Sequence, residues 1–525
     1  MKYFSFPLLS ILCCLNLNAQ DLSSTMTVTA GTPIIIKSGT TFDAGELNLK
    51  SNSDSFASVL SEAGTITTAT VVNYDRYVNE VGSGATGGND LVSLPVKASG
   101  ATFGDLLAYT ADYGVTTNST TMPTNGAVYA FGPYNNVNQS YTNYANATVG
   151  NGDVLERAVG YRAASNVAGG ETLRFTGTIS TDTETVSIST SGINYWNSVG
   201  NPYPTYLDSQ AFLLENASSL DEDATAIYAF HGGTNAGGIG TIGNFTIINN
   251  VSNTSLKIAP GQGFLVANSG ASANDINFTT AMRVYSGGDD FILGRTEEVN
   301  KMLRLKAEHA DANFATEIYF NSNSTQGLDP GYDAAVYEVG SLSFELYSHL
   351  VADNEGKNMA IQSLATDDIN DVVIPLGLET VAGQQVTFSI EHSTLPEDVE
   401  VYLEDNVANT FTLLNTGDYT FTANTAISGT GRFYLNIGAI TLSQIDNTSN
   451  DLSLYTNNQM LFVKGQLLET TQVSIYDTLG RLVMSSNLEA GLDTNTIDAN
   501  QLSTGIYVVK LANGTQELSQ KVILK

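Results

Sequence analysis

The chain has 525 residues, 53 Asp and Glu against 21 Lys and Arg, a net charge of −32 and 42 % hydrophobic residues. That length implies about three to five domains, and the apolar content excludes a disordered chain. The acidity excludes nucleic-acid backbones and anionic membranes as natural partners.

The first elements are targeting signals. Lys2 precedes a mostly apolar run that ends near Asn18-Ala19-Gln20. This reads as a secretory signal peptide, residues 1–19, cut after Ala19. The run is shorter than the roughly 20 residues a spanning helix needs, and no later stretch supplies a transmembrane segment. Cys13 and Cys14 are the only cysteines. The exported chain therefore has no disulfide, thiol nucleophile or Cys-bound zinc. A lipid-anchored alternative through Cys13 is disfavoured, because Leu12 precedes it where a small residue is expected.

Beyond residue 20 the chain reads as all-β. Apolar–polar alternation recurs at 34–36, 46–50, 65–72, 172–179, 184–188, 245–248, 317–320, 386–390, 400–403 and 432–437. Gly, Asn, Asp and Pro punctuate these runs at roughly 8–12 residue intervals, the spacing of sandwiches, barrels or solenoids. Short helices are expected at 102–108 and 213–220. An internal repeat organises the middle. Ala127-Val128-Tyr129-Ala130-Phe131 is answered by Ala226-Ile227-Tyr228-Ala229-Phe230, Gly160-Tyr161 by Gly263-Phe264, and Leu173-Arg174-Phe175-Thr176 by Ile276-Asn277-Phe278-Thr279. The expected architecture is therefore a series of tandem β-sandwich or β-rich modules. A solenoid-like region at 20–87 precedes repeats at 88–195 and 196–295. A β-sandwich follows at 298–440, then a linker at 441–450 and a compact domain at 451–525.

The last domain carries the most specific pattern. Tyr476-Asp477-Thr478-Leu479-Gly480-Arg481 forms a turn between alternating strands. Gly505-Ile506-Tyr507-Val508-Val509-Lys510 is a strand, and the chain closes on a basic, apolar end at Lys525. These residues resemble the C-terminal sorting domain of the type IX (Por) secretion system of Bacteroidetes. The resemblance implies an Ig-like fold and handling by the type IX secretion machinery. It also implies a secreted or outer-surface location, with the tail removed as cargo is released or attached to surface lipopolysaccharide. In the body, 196–204, 260–264 and 327–333 resemble stretches of uncharacterised surface proteins of the same bacteria, without implying an activity.

The search for chemistry is mostly negative. His231, His309, His349 and His392 form no His-Glu-x-x-His, and no Gly-x-Ser-x-Gly elbow or phosphate-binding Gly loop is present. Glu171, Asp208 and Glu215 lie near aromatics, but with 53 acids some pair always satisfies a glycosidase spacing. Calcium prefers clustered carboxylates. Asp329 and Asp333 flank a Pro-Gly turn and are the leading calcium candidates, ahead of Asp221/Glu222/Asp223 and Asp367/Asp368/Asp371. For every cluster the plainer reading is a solvated acidic surface. Tyr134, Tyr141 and Tyr144 form a polar-aromatic loop suited to stacking a glycan, with turn packing as the bland alternative. Trp196 is read first as core. The expected function is non-catalytic binding or adhesion at the cell surface. The alternatives are a self-assembling matrix or surface-layer protein and a polysaccharide-degrading enzyme.

Overall fold

A computed structural model describes residues 25–67, 70–81, 90–111, 116–145, 153–230, 245–290, 300–310, 312–337 and 343–438. In the C-terminal unit it describes 453–457, 460–464, 467, 469–477, 481–490, 494–512 and 517–524. The expected signal peptide, His231, Gly480 and Lys525 lie outside the described residues. The chain forms two units, 1–439 and 440–525, and both are all-β.

The first described segment winds as parallel rungs. Thr25–Val28 pairs with Glu46–Lys50, which pairs with Val71–Val78, all in parallel. Pro33–Lys37 stacks on Ser58–Glu62 and Thr41–Phe42 on Thr65–Ile66 in the same way. The 65–72 run is thus divided between two strands on different sheets. Stacked rungs bury Leu47, Leu49, Val72 and Tyr74 completely. Amides stack as well: the Asn73 amide donates to Asn48 Oδ1 at 2.9 Å and to Glu46 Oε1 at 2.6 Å. Glu171–Gly177 closes this sheet antiparallel to Val71–Val78. One core therefore runs from Val28 to Phe175, across the 87/88 boundary expected from sequence. Inside it Asp75, 1 % exposed, receives Lys50 at 2.5 Å and Arg174 at 2.6 Å.

Of the repeated sequences, Gly160-Tyr161 and Gly263-Phe264 lie on matching strands, whereas Val128–Tyr129 pairs with Thr124–Asn125 in a separate two-stranded sheet while Ile227–Phe230 lies within a four-stranded one, and 173–176 and 276–278 pair with the unlike strands Val71–Val78 and Glu184–Ile188. The first four-stranded sheet runs Asp90–Val92, Tyr161–Ala163, Gly132–Asn135, Ser140–Tyr141. The second runs Trp196–Gly200, Gly263–Ala267, Ile227–Phe230, Phe245–Ile248. Every neighbouring pair in both sheets is antiparallel. A helix follows the first strand of each, Phe103–Ala108 with Thr102 as its cap and Ser209–Asn216 with Asp208 as its cap. The second helix starts earlier than the 213–220 expectation because the Asp208 carboxylate accepts the Ala211 N–H at 2.9 Å. The two repeats touch through backbone hydrogen bonds, Gly160 N–H to the Ser198 carbonyl at 3.0 Å and Ser93 N–H to the Gly261 carbonyl at 2.8 Å. A Cβ on Gly160 would sit 2.1 Å from Ser198 Oγ, and one on Gly200 would sit 2.6 Å from Ser93 Cβ. Only glycine permits that approach.

The last part of the first unit is one curled, 11-stranded sheet. Its core gathers Leu303, Ile318, Phe320, Ile374, Phe388, Leu403 and Leu435, among others. One edge is Thr410–Leu413, followed inward by Val401–Asp405, Phe433–Gly438 and Asp371–Glu379. The other face of its middle strands meets the second repeat. Met302, Tyr319, Met359 and Ile361 there share a core with Trp196, Tyr228 and Leu265.

The second unit stacks a three-stranded and a four-stranded antiparallel sheet over one core that includes Leu461, Val463, Val473, Val509 and Leu511.

Candidate functional site

The tyrosines expected to stack a ligand are packed against the protein. Tyr134 and Tyr141 face each other across a strand pair, ring centroids 5.2 Å apart. The Tyr134 hydroxyl lies 3.2 Å from that of Tyr337. Tyr337 meets Trp196 edge-on at 4.8 Å, Tyr228 meets Trp196 edge-on at 4.6 Å, and Tyr195 stacks on it at 5.3 Å. The Tyr228 hydroxyl donates to the Ala335 carbonyl at 2.6 Å. These rings make a seam joining both repeats to the large sheet. Burial pushes the Tyr134, Tyr141 and Tyr337 hydroxyls above their ordinary values. Tyr144 packs on Phe103 at 5.0 Å and on Phe131 at 6.3 Å, and burial pushes it up to about 12.

The Asp329–Asp333 turn is a clasp on the same seam. Thr325 N–H and Oγ1 donate to Asp329 Oδ2 at 2.6 and 3.1 Å. Asp333 is fully buried, and each of its oxygens accepts a backbone N–H, from Ser363 at 2.6 Å and from Asp329 at 2.7 Å. Burial pushes the Asp333 carboxyl up to about 7. Asn249 Nδ2 and Asn250 N–H of the second repeat donate to the carbonyls of Tyr332 and Gly331, at 2.9 and 2.8 Å. Gly331 holds φ at +82°, a conformation that favours glycine. Asp221 and Asp368 also cap local backbone: Asp221 accepts from Asp223 N–H, and Asp368 from Ala365 N–H. Among the described residues, no group of three His, Cys, Asp or Glu is gathered as metal ligands. Nor are Glu171, Asp208 and Glu215 brought together as an acid pair. Asp208 caps a helix and pairs with Lys257 at 2.7 Å, while Glu171 accepts the Thr172 N–H.

An open aromatic face lies elsewhere, on residues the sequence reading did not single out. Along 401–405, Val401, Leu403 and Asp405 point inward, so Tyr402 and Glu404 point outward. Glu404 sits between Phe411 on the edge strand and Tyr434 on the other side; Tyr402 sits between Leu413 and Asn436. Pro375 and Val373 continue these two rows onto the next strand. Phe411 is 59 % exposed and Val373 is 44 % exposed, while Tyr402 and Tyr434 are partly exposed. No described aromatic ring stacks on Phe411, Tyr402 or Tyr434. Tyr402 donates to Glu400 Oε2 at 3.1 Å, and Asn436 Nδ2 donates to Glu404 Oε2 at 3.3 Å. The one sequence signal was alternation at 400–403 and 432–437, which says that one face is exposed but not that the two exposed faces adjoin.

In the second unit the motif residues build a turn and a corner. Asp477 Oδ1 accepts the Arg481 N–H at 2.9 Å, its Oδ2 accepts Arg481 Nε at 3.1 Å, and Asp477 N–H returns to the Arg481 carbonyl at 3.0 Å. Tyr476 ends its strand at a register shift. Gly505 opens the strand that presents Ile506 outward and Tyr507 inward, with the Tyr507 hydroxyl on the Ser503 carbonyl at 2.8 Å. Lys510 is exposed on the same strand, opposite Ser474.

Comparisons with known proteins agree with this division. Residues 456–525 match the family described as "Secretion system C-terminal sorting domain". No curated protein matches the chain. A solved structure described as "Biofilm associated protein - BSP domain" aligns at 9 % identity and TM-score 0.20, covering 85 % of this chain and 97 % of that one. That likeness is too slight to bear on fold or function. The tail is thus a type IX sorting domain, which implies export by type IX secretion to the outside of the cell. Because residues 108–436, more than half the chain, match "Domain of unknown function (DUF8693)", the chain belongs to that family.

Proposed function

We propose that the chain is a non-catalytic surface-binding protein. Its first 19 residues direct it out of the cytoplasm, and its tail passes it through type IX secretion. The body then holds a ligand outside the cell. The observation that carries this reading is the partly exposed aromatic face at Tyr402, Phe411 and Tyr434, set on the 11-stranded sheet, the largest among the described residues. Exposed aromatic patches rimmed by polar groups mark interaction surfaces. His309 and His349 support the reading against catalysis. His309 packs edge-on against Phe344, and His349 bonds Asn354 and Asn358.

Self-assembly is the second reading, and one feature favours it. The edge strand Thr410–Leu413 carries no charge, and Val407 in the preceding turn is 74 % exposed. Uncharged edges invite strand pairing. The test uses the chain lacking residues 1–19. Depletion binding to a panel of insoluble polysaccharides and to whole cells is measured beside sedimentation velocity. Saturable binding by a monomer supports adhesion. Concentration-dependent growth without ligand binding supports assembly, and release of new reducing ends would overturn the non-catalytic reading.

A further inference from the structure

Two rows of outward side chains on the large sheet mix flat rings with hydrogen-bonding groups. Phe411, Glu404 and Tyr434 form one row across three strands, and Tyr402 and Asn436 belong to the next. Neighbouring strands lie roughly 4.8 Å apart, so Phe411 and Tyr434, two strands apart, are about 10 Å apart at the backbone. Tyr402 sits diagonally between them. We propose that this face is a docking platform for a neutral polysaccharide chain, a proposal that rests on the surface-binding reading above.

The chemistry selects that occupant. Aromatic rings at three staggered points favour a ligand with flat, C–H-lined faces repeated along its length. Glu400 and Glu404 are acceptor-only when ionised, and each uses one oxygen within the protein. The free lone pairs take O–H donors, which a sugar ring supplies along its edge. Two glutamates on the face, on a chain of net charge −32, repel nucleic acids and acidic glycans. A peptide helix needs a continuous apolar groove, and here a carboxylate separates Phe411 from Tyr434. The edge position matters as well. Among the described strands, only Thr410–Leu413 lies outside the Val401–Asp405 strand in the sheet order, so a long polymer can lie across both rows and continue past the edge.

The experiment is depletion binding of the chain lacking residues 1–19 to insoluble cellulose, chitin and starch. Wild type is compared with Tyr402→Ala, Tyr434→Ala, the double variant and Ile193→Ser. Ile193 is 90 % exposed on a turn elsewhere and serves as the control. The expected result is saturable binding to one polymer and about tenfold weaker binding per ring removed. Circular dichroism should stay unchanged, and Ile193→Ser should bind like wild type. Where the double variant loses its fold, Phe411→Ser, at a 59 % exposed edge position, reads the same surface. Undiminished binding in folded ring variants overturns the platform and leaves the surface-binding reading standing. Absence of wild-type binding to every polymer overturns the platform. Loss of binding to whole cells as well overturns the surface-binding reading with it.

Discussion

Two aromatic clusters of this protein differ in one respect, what lies opposite them. At the seam, Trp196, Tyr228, Tyr337 and Tyr134 meet the middle of the large sheet and are locked edge to face. On the outer face of that same sheet, Phe411 is exposed and Tyr402 and Tyr434 are partly exposed, with no second layer of described aromatic rings stacked on them. Ring content does not distinguish structural from ligand-facing aromatics. The presence of a second layer does, because burial converts a ring's area into stability, whereas an open ring keeps that area for a partner.

The sharpest way to break the contrast is Trp196→Ala. Trp196 is 1 % exposed and is the chain's only tryptophan. Its removal should cost about 3–5 kcal/mol, read by circular dichroism in urea. Tyr402→Ala should cost less than about 1 kcal/mol, as is usual at an open surface. Equal losses would mean that the outer face is covered.

Asp333→Asn tests the clasp that holds the seam. The amide keeps one acceptor and turns an N–H₂ toward a backbone N–H, so the loss should be about 1–3 kcal/mol. The pH dependence has a definite sign. The folded carboxyl titrates at about 7, against roughly 3.9 unfolded. Between those values the native chain holds a proton that the unfolded chain has released, so this contribution falls as pH rises through that window and levels off above it. Wild type should therefore lose more stability than Asp333→Asn between pH 5 and pH 8, measured as the shift in urea midpoint. A parallel response in both proteins would remove Asp333 from the seam's energetics.

The smallest effect compares two hydroxyls. Tyr134→Phe removes the bond to Tyr337 inside the seam and should cost roughly 0.5–1.5 kcal/mol. Tyr402→Phe removes a bond to Glu400 at an open surface and should stay within about 0.5 kcal/mol. Thermal unfolding of both variants beside wild type resolves the pair, and a larger loss for Tyr402→Phe would reverse the assignment of the two clusters.

Local pattern carried much of this into view from sequence. The apolar–polar pattern placed the strands Glu46–Lys50, Glu184–Ile188 and Phe245–Ile248 at the positions observed, although only Glu184–Ile188 is half-buried and alternates, while 47–49 and 246–248 are buried in succession between neighbouring layers. The Tyr-Asp-x-x-Gly-Arg turn was legible because Asp477 and Arg481 close on each other within five residues. The Gly–aromatic pairs Gly160-Tyr161 and Gly263-Phe264 do fall on matching strands, each glycine in close approach to its neighbours and each ring in the core, where Tyr161 is 2 % and Phe264 0 % exposed.

The sequence by itself determined the β class, the sorting tail and the positions that alternate. Tertiary structure alone decided which outward-facing positions are covered. Tyr134 and Tyr337 lie 203 residues apart, yet their hydroxyls meet; Tyr402 and Tyr434 lie on neighbouring strands, yet stay partly exposed. Alternation is set by the backbone's period of two within one strand. Which strand becomes its neighbour, and whether a second sheet lies above it, depends on contacts hundreds of residues away that no local period encodes.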